Sequence, residues 1–181
     1  MILETERLRL REMTEADLPA LRAILRDPAA MAAYEGAFDE AMVRDWLDRQ
    51  LERYRHDGFG LWAVELRAPG SSAGSAGGGA PVIGQCGITR QRIDGDEVLK
   101  VGYLFAREFW HCGYATEAAS ACRDHAFAEL GAERVYAQVR DTNLASMNVA
   151  IRLGMTVRSR FVKHYRGVEM PHLAFAVDRA G

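Results

Sequence analysis

The 181-residue chain lacks any apolar run long enough to cross a membrane. It also lacks a polybasic cluster, so it carries no electrostatic footprint for nucleic acid. Cysteine is scarce: Cys86, Cys112 and Cys122 are the only three. An odd count with no close pair in sequence argues against both a disulfide framework and a zinc site, and reduced thiols fit the cytoplasm. The opening Met1-Ile2-Leu3-Glu4-Thr5-Glu6-Arg7 sets acids where a secretory leader needs bases followed by apolar residues. An excess of either charge is missing too, the formal net charge being -2. What is present is apolar material, 49% of the residues, enough for a full core. The length suits a single domain over residues 1–181.

Periodicity lays out the elements. Leu8 and Leu10 alternate with arginines, a strand pattern. Thr14 and Asp17 resemble a capping box ahead of a helix carrying Leu18, Leu21, Ile24 and Leu25. Asp39 caps a second helix with Val43, Trp46, Leu47, Leu51 and Tyr54 on one face. Strands are expected at 61–66, 82–89 and 98–105, the last two joined by a turn at Asp94-Gly95-Asp96. Ala68 to Pro81 is Gly, Ser and Ala with almost nothing to bury, and is expected to be a mobile insertion. It contains no Gly-Lys-Ser/Thr, so it is not a phosphate loop. A helix from Tyr114 to about Leu130, a strand at 135–139, a short helix capped by Asn143 and two final strands complete an α/β chain. The order β-α-α-β-β-β-α-β-α-β-β predicts a mixed sheet with helices on both faces.

The chemistry concentrates where a strand, Val101-Gly102-Tyr103-Leu104-Phe105, leads through a turn into Trp110-His111-Cys112-Gly113-Tyr114-Ala115-Thr116-Glu117-Ala118. A helix start collects free N–H groups and about half a positive charge. Gly113 lets backbone approach a bulky anion, which suits a pyrophosphate; Glu117 in the first turn supports the helix dipole. By itself this leaves the ligand open.

Trp-x-x-Gly-Tyr-Ala-Thr-Glu-Ala resembles the acetyl-CoA loop of the GNAT acetyltransferases, in the branch that includes the ribosomal-protein alanine N-acetyltransferases. Asn143-Leu144-Ala145-Ser146 through Val149 to Leu153-Gly154-Met155 is similar to a second segment of that branch. Thr5 to Arg11, Ile83-Gly84-Gln85-Cys86-Gly87 and Val101-Gly102-Tyr103 also match, so the likeness runs from residue 5 to about 177. It implies a GNAT-like, mostly antiparallel sheet and acetyl-CoA as cosubstrate, with no metal. His111, Cys112, Gly113, Tyr114, Ala115 and Thr116 would wrap the pyrophosphate. The backbone of Tyr103, Leu104 and Phe105 would pair with the pantetheine arm. Asn143 would cap its helix and bond the arm, and Ser146 would lie near the sulfur.

The chain departs from the family at three positions. Ala150 stands where many members carry a tyrosine acid, Lys100 where the branch often has Glu, and Cys112 where a base is common. Acetyl transfer to an amine requires that the ammonium lose a proton, that the oxyanion find a donor and that the thiolate leave. The oxyanion donor is expected among the N–H groups of Leu104 and Phe105. Ser146 is the substitute acid, and Glu97 and Glu65 are the candidate bases. His164 and Tyr165 are candidates for the acceptor cleft, with a structural role favoured. Tyr34-Glu35-Gly36 is expected at its edge, His111 in the loop and His125 on a helix surface. The resulting expectation is an enzyme acting on a primary amine, a small molecule or a protein N-terminus. A non-catalytic acyl-CoA-binding domain and a structural interaction protein are the rivals. Monomer and homodimer are both left open.

Overall fold

The structure, a computed structural model, describes residues 2–34, 36–67, 80–93, 95–165 and 167–180. Its elements are β1 (Leu3–Glu4), β2 (Leu8–Arg11), α1 (Leu18–Leu25), α2 (Glu40–His56), β3 (Leu61–Leu66), β4 (Val82–Ile93), β5 (Asp96–Phe105), α3 (Tyr114–Ala128), β6 (Arg134–Arg140), α4 (Leu144–Arg152), β7 (Thr156–Tyr165) and β8 (Val168–Asp178). The strands form one sheet in the order β1-β2-β3-β4-β5-β6-β8-β7. All neighbours are antiparallel except β5 and β6. The mixed, mostly antiparallel sheet is as expected; the two-residue β1 is additional.

Local chemistry explains the helix starts. Asp39 accepts from Met42 N at 2.9 Å, and Asn143 Oδ1 accepts from Ser146 N at 3.0 Å, each side chain satisfying one orphan donor. Thr14 N donates to Asp17 Oδ2 at 2.7 Å before a turn of 3-10 helix that leads into α1.

Two cores flank the sheet. Leu8, Leu10, Trp62, Val64, Cys86, Ile88, Val101, Phe105, Val135, Ala137 and Val139 meet Ala118, Ala119, Cys122 and Ala126 of α3 and Val149, Ala150 and Leu153 of α4. On the other face Leu61 and Ala63 meet Leu18, Leu21, Leu25, Val43 and Leu47 of α1 and α2. Glycines hold the middle strands close. A Cβ on Gly87 would lie 2.0 Å from Gly60 O, and one on Gly84 2.6 Å from the Phe105 ring. Cys86 and Cys122, 36 residues apart, meet in the core as free thiols with sulfurs 3.6 Å apart. Chain spacing gave no sign of that pair.

Residues 68–79 of the expected insertion lie outside the described residues, as do Glu35, Asp94 and the side chain of Tyr165. The insertion's flanks are the ends of adjacent antiparallel strands, with Glu65 opposite Val82.

Candidate active site

The sheet parts between β5 and β6. These strands are in register only at Leu99↔Val135 and Lys100↔Tyr136. Beyond Lys100, β5 stays paired with β4 as far as Phe105, and β6 with β8 as far as Arg140. A gap opens toward the C-terminal ends of both strands, where α3 and α4 begin.

Strand alternation decides which backbone groups enter it. Ala106 N donates to Ile83 O at 2.9 Å, and Ile88 N turns the other way, to Gly60 O. Counting by twos, Leu104 and Gly102 direct their backbone at β4, whereas Tyr103 and Phe105 direct theirs at the gap. Leu104 therefore offers no free backbone to a ligand, contrary to expectation. Its side chain packs with the α1–α2 cluster instead. Phe105 O already accepts from Trp110 Nε1 at 2.9 Å. Tyr103 N–H and C=O and Phe105 N–H are the groups aimed at the gap.

The mouth of the gap is the start of α3. Gly113 is the N-cap at φ +81 and His111 has φ +61, so the turn before the helix is built from left-handed backbone. The first helical bond runs from Glu117 N to Gly113 O at 3.1 Å. The N–H groups of Tyr114, Ala115 and Thr116 thus have no partner within the helix. Glu117 does more than face the dipole. Its carboxylate accepts from Thr5 Oγ1 at 2.5 Å, Arg7 N at 2.9 Å and Arg7 Nε at 2.7 Å. Arg7 Nη1 reaches Cys112 O at 3.0 Å, and its guanidinium lies 4.7 Å over the Tyr114 ring. The Thr5-Glu6-Arg7 opening is thereby the clamp that holds the turn. Burial opposes the Glu117 charge, but the bonds from Thr5 and Arg7 outweigh it and hold the carboxyl below its ordinary range.

Across the gap stands α4. Tyr103 Oη lies 2.9 Å from Ser146 Oγ and 3.0 Å from Ser146 O. Burial, partly offset by the Ser146 bond, pushes the Tyr103 phenol up to about 12. Ala150 is fully buried in the core and carries no hydroxyl toward the gap.

On the α1–α2 face, Gln85 Oε1 accepts from Trp46 Nε1 at 2.8 Å, beside an aromatic cluster of Tyr34, Phe38 and Trp46. Arg140 Nη1 donates to Ala32 O at 3.1 Å, tying the α1–α2 connection over β6. Beside the gap, buried polar atoms without a partner among the described residues are Gln85 Nε2 on β4, and Gln138 Oε1 and Arg140 Nε on β6. Lys100, at the last β5–β6 pair, folds back along Gly102 and makes no ion pair among the described residues. Burial, with Lys163 and Arg53 nearby, lowers its amine to about 7.

The two candidate bases do not join this site. Glu97 is exposed and pairs with Arg90 at 3.0 Å, upstream of where the gap opens. Six residues of strand separate it from Tyr103, roughly 20 Å. Glu65 is buried and bound to Arg11 Nε at 2.7 Å, an arginine that also holds Asp17 at 2.7 Å. His164 is exposed beside Glu169, and His125 sits edge-on to Trp62, 5.6 Å between centroids. Cys112 is exposed, its thiol 3.4 Å from Trp110 O. Sequence reasoning passed over His172, which is buried on β8 opposite Arg140. Only its place in the strand alternation marked it as facing inward.

A parted strand pair with a helix start at its mouth is a cradle for a long ligand with an anionic end, and the family model for the acetyltransferase (GNAT) domain matches residues 7–156. The chain belongs to the GNAT acetyltransferases. It is an acetyl-CoA-dependent acyltransferase. A curated relative, the uncharacterized protein YkkB of Bacillus subtilis, is 36% identical over 154 residues, 84% of each chain. Among solved structures, an acetyltransferase from Agrobacterium tumefaciens superposes with a TM-score of 0.78 at 27% identity, covering 98% of this chain and 94% of that one. Spermidine N-acetyltransferase from Vibrio cholerae, in complex with CoA and spermine, shares the fold at 16% identity with a TM-score of 0.71, covering 96% of each. Ribosomal-protein-S5-alanine acetyltransferase from Vibrio fischeri shares it too, so the ribosomal-protein branch is one of several neighbours. No described helix is long and apolar enough to cross a membrane, and no cluster of metal-binding side chains occurs among the described residues.

Proposed function

We propose that this cytoplasmic acyltransferase moves the acetyl group of acetyl-CoA directly to a primary amine. The observation that carries the reading is the β5–β6 gap itself, with free backbone on one bank and a hydroxyl pair bridging its far side. The pyrophosphate would rest on the N–H groups of Tyr114, Ala115 and Thr116, opposite an αL glycine that keeps side chains away. The pantetheine arm would continue the sheet along Tyr103 and Phe105, adding itself as a strand. Asn143, already a cap, stands at the start of α4 beside that path.

With the thioester carbonyl at Tyr103, that residue supplies two functions. Its N–H is the donor for the oxyanion that forms as the amine attacks. Its hydroxyl, shared with Ser146, is the group placed to stabilise the departing thiolate. A phenol held up to about 12 stays protonated throughout the working range and remains a donor. The missing tyrosine at Ala150 is thus answered from the opposite bank.

The acceptor would approach from the α1–α2 face, past Tyr34 and Arg140, where the unpaired polar atoms lie. The Vibrio neighbours, one named for spermidine and one for a ribosomal protein, frame the choice between a small polyamine and a protein N-terminus. The test is release of free CoA thiol with spermidine, an aminoglycoside, free amino acids and an alanine-initiated peptide. Amine-dependent release with an N-acetyl product by mass spectrometry is expected. Acetyl-CoA binding without release for any amine class would favour a binding domain.

A further inference from the structure

His172 lies on the acceptor face of the sheet. Register places it opposite Arg140, and Gln138 lies two pairs back along β6, so all three project on one side, one strand from the gap. Hydrophobic partners of the other core, Val135, Ala137 and Val139, alternate with them and fix that orientation. The imidazole is buried, 7% exposed. Its Nδ1 is 2.7 Å from Met170 O, and because a carbonyl only accepts, Nδ1 carries the proton. The ring stacks on Phe161 at 5.7 Å between centroids, 25° from parallel. Tautomer and orientation are both locked, and Nε2 is left as a lone pair with no partner among the described residues. Diagonally adjacent, Gln138 Oε1 is also buried, without a partner among the described residues, and able only to accept.

Two acceptors without donors among the described residues, on the face that would receive an ammonium, form a matched site. We propose that His172 Nε2 is the general base of the reaction and that Gln138 Oε1 holds the amine beside it. This role rests on the acetyl-transfer reading above. Nε2 takes one proton from the ammonium, holds it while the amide forms and releases it to solvent afterwards. The nitrogen lone pair then forms the N–C bond as the C–S bond breaks. The second amine proton is lost as the thiolate gains one, giving amide, CoA thiol and one released proton.

The surroundings keep the base ready. Burial lowers the His172 pKa, and the cations of Lys163 on β7 and Arg140 on β6 lower it further, against the Met170 bond and Asp141, which raise it. The ring is therefore neutral at pH 7. A base drawn from a carboxylate, Glu97 or Glu65, is not needed.

The experiment is the pH dependence of kcat/KM for wild type and His172→Gln, with spermidine and an alanine-initiated peptide as acceptors. With a base at work the wild-type profile is level from neutral pH to the acceptor pKa. Without one, only free amine reacts, so the variant should climb about tenfold per pH unit over that range, and its kcat at pH 7 should fall about a hundredfold or more. Acetyl-CoA binding should stay unchanged. Gln138→Leu should raise KM for the amine and leave the slope level. A variant whose slope and kcat match wild type removes the role while leaving acetyl transfer standing. A wild type that acetylates neither amine, nor any other in the panel, removes both. If His172→Gln does not fold, His172→Asn is read the same way. If neither folds, nitrogen-15 NMR of wild type decides, and an Nε2–H tautomer or a midpoint above pH 7 overturns the proposal.

Discussion

The two sides of β5 differ sharply. Against β4 it is in continuous register from Gly84↔Phe105 to Ile93↔Asp96; against β6 the register is two residues long. One flank is a closed ladder and the other a ladder abandoned after its second rung. Buried backbone that gives up a strand partner must find another. Here Trp110 takes Phe105 O, and side-chain tethers from Tyr103 to Ser146 and from Arg140 to Ala32 O hold the separated halves at a set spacing. The closed flank supplies rigidity, and the open one supplies unspent hydrogen-bonding capacity for a ligand.

The comparison breaks most completely at the mouth of the gap. Gly113→Glu puts bulk and negative charge where the pyrophosphate would sit, and should abolish the thermal stabilisation by acetyl-CoA. That stabilisation is about 2.7 kcal/mol at a hundredfold excess over Kd in the parent. Gly113→Ala isolates the backbone contribution. At φ +81 it should cost about 1 kcal/mol of stability and weaken binding by less than about tenfold. A Gly113→Glu protein that folds and responds to acetyl-CoA like the parent would misplace the site.

A smaller effect is expected from the tether. Tyr103→Phe keeps the ring in the core and removes the hydroxyl shared with Ser146. Turnover should fall about tenfold to a hundredfold with little change in KM for acetyl-CoA, and stability by about 1 kcal/mol. Ser146→Ala should cost only a fewfold in kcat. The parent should show no falling alkaline limb up to about pH 10, because its phenol titrates at about 12. A limb near pH 8 to 9 on a stable protein would assign the acid elsewhere.

Lys100, at the last rung, sharpens the comparison through pH. The unfolded chain keeps a proton on this amine to about pH 10.4, the folded chain only to about 7. The unfolded state binds more protons between those values, so the apo protein should gain stability as pH rises through that interval. Calorimetry between pH 7 and 9 should show the rise. Lys100→Met should flatten it and raise stability at pH 7 by roughly 1–2 kcal/mol, the half-buried position tempering the full electrostatic value. Above pH 9 the raised Cys122 thiol and the raised phenols of Tyr54 and Tyr103 pull the other way, which sets the window. An unchanged slope in the variant would place the titrating group elsewhere.

The smallest effect is expected on the closed flank. Replacing residues 68–79 by a short turn should shift the melting temperature by less than about 2 °C and leave the acetyl-CoA response intact, since β3 and β4 are adjacent antiparallel strands. Loss of soluble protein would make the segment structural.

Much of this was legible in the chain. Strands and helices followed from period-2 and period-3.6 patterns, the starts of α2 and α4 from Asp39 and Asn143, and the turn at Gly113 from a glycine between a strand and a helix. These features are local: each depends on residues within a few positions. The family likeness added the cosubstrate. The catalytic assignments fared differently, because an acid or base is defined by what stands across a gap. Glu97 and Glu65 have suitable chemistry, but each is held by an arginine of the neighbouring strand, Arg90 and Arg11, which strand pairing brings to it.

Sequence by itself determined the fold class, the helix caps and the small-residue turn at the mouth of the site, since backbone propensity and burial of an apolar face act through near neighbours. Tertiary structure alone decided where the sheet parts, that Glu117 is clamped by Thr5 and Arg7, that Cys86 meets Cys122, that Tyr103 reaches Ser146, and that His172 lies on the same sheet face as Gln138 and Arg140 with its proton on Nδ1. Each of these joins residues up to 112 positions apart or rests on strand register. Register is fixed by packing whole strands against helices, which no short stretch of sequence contains.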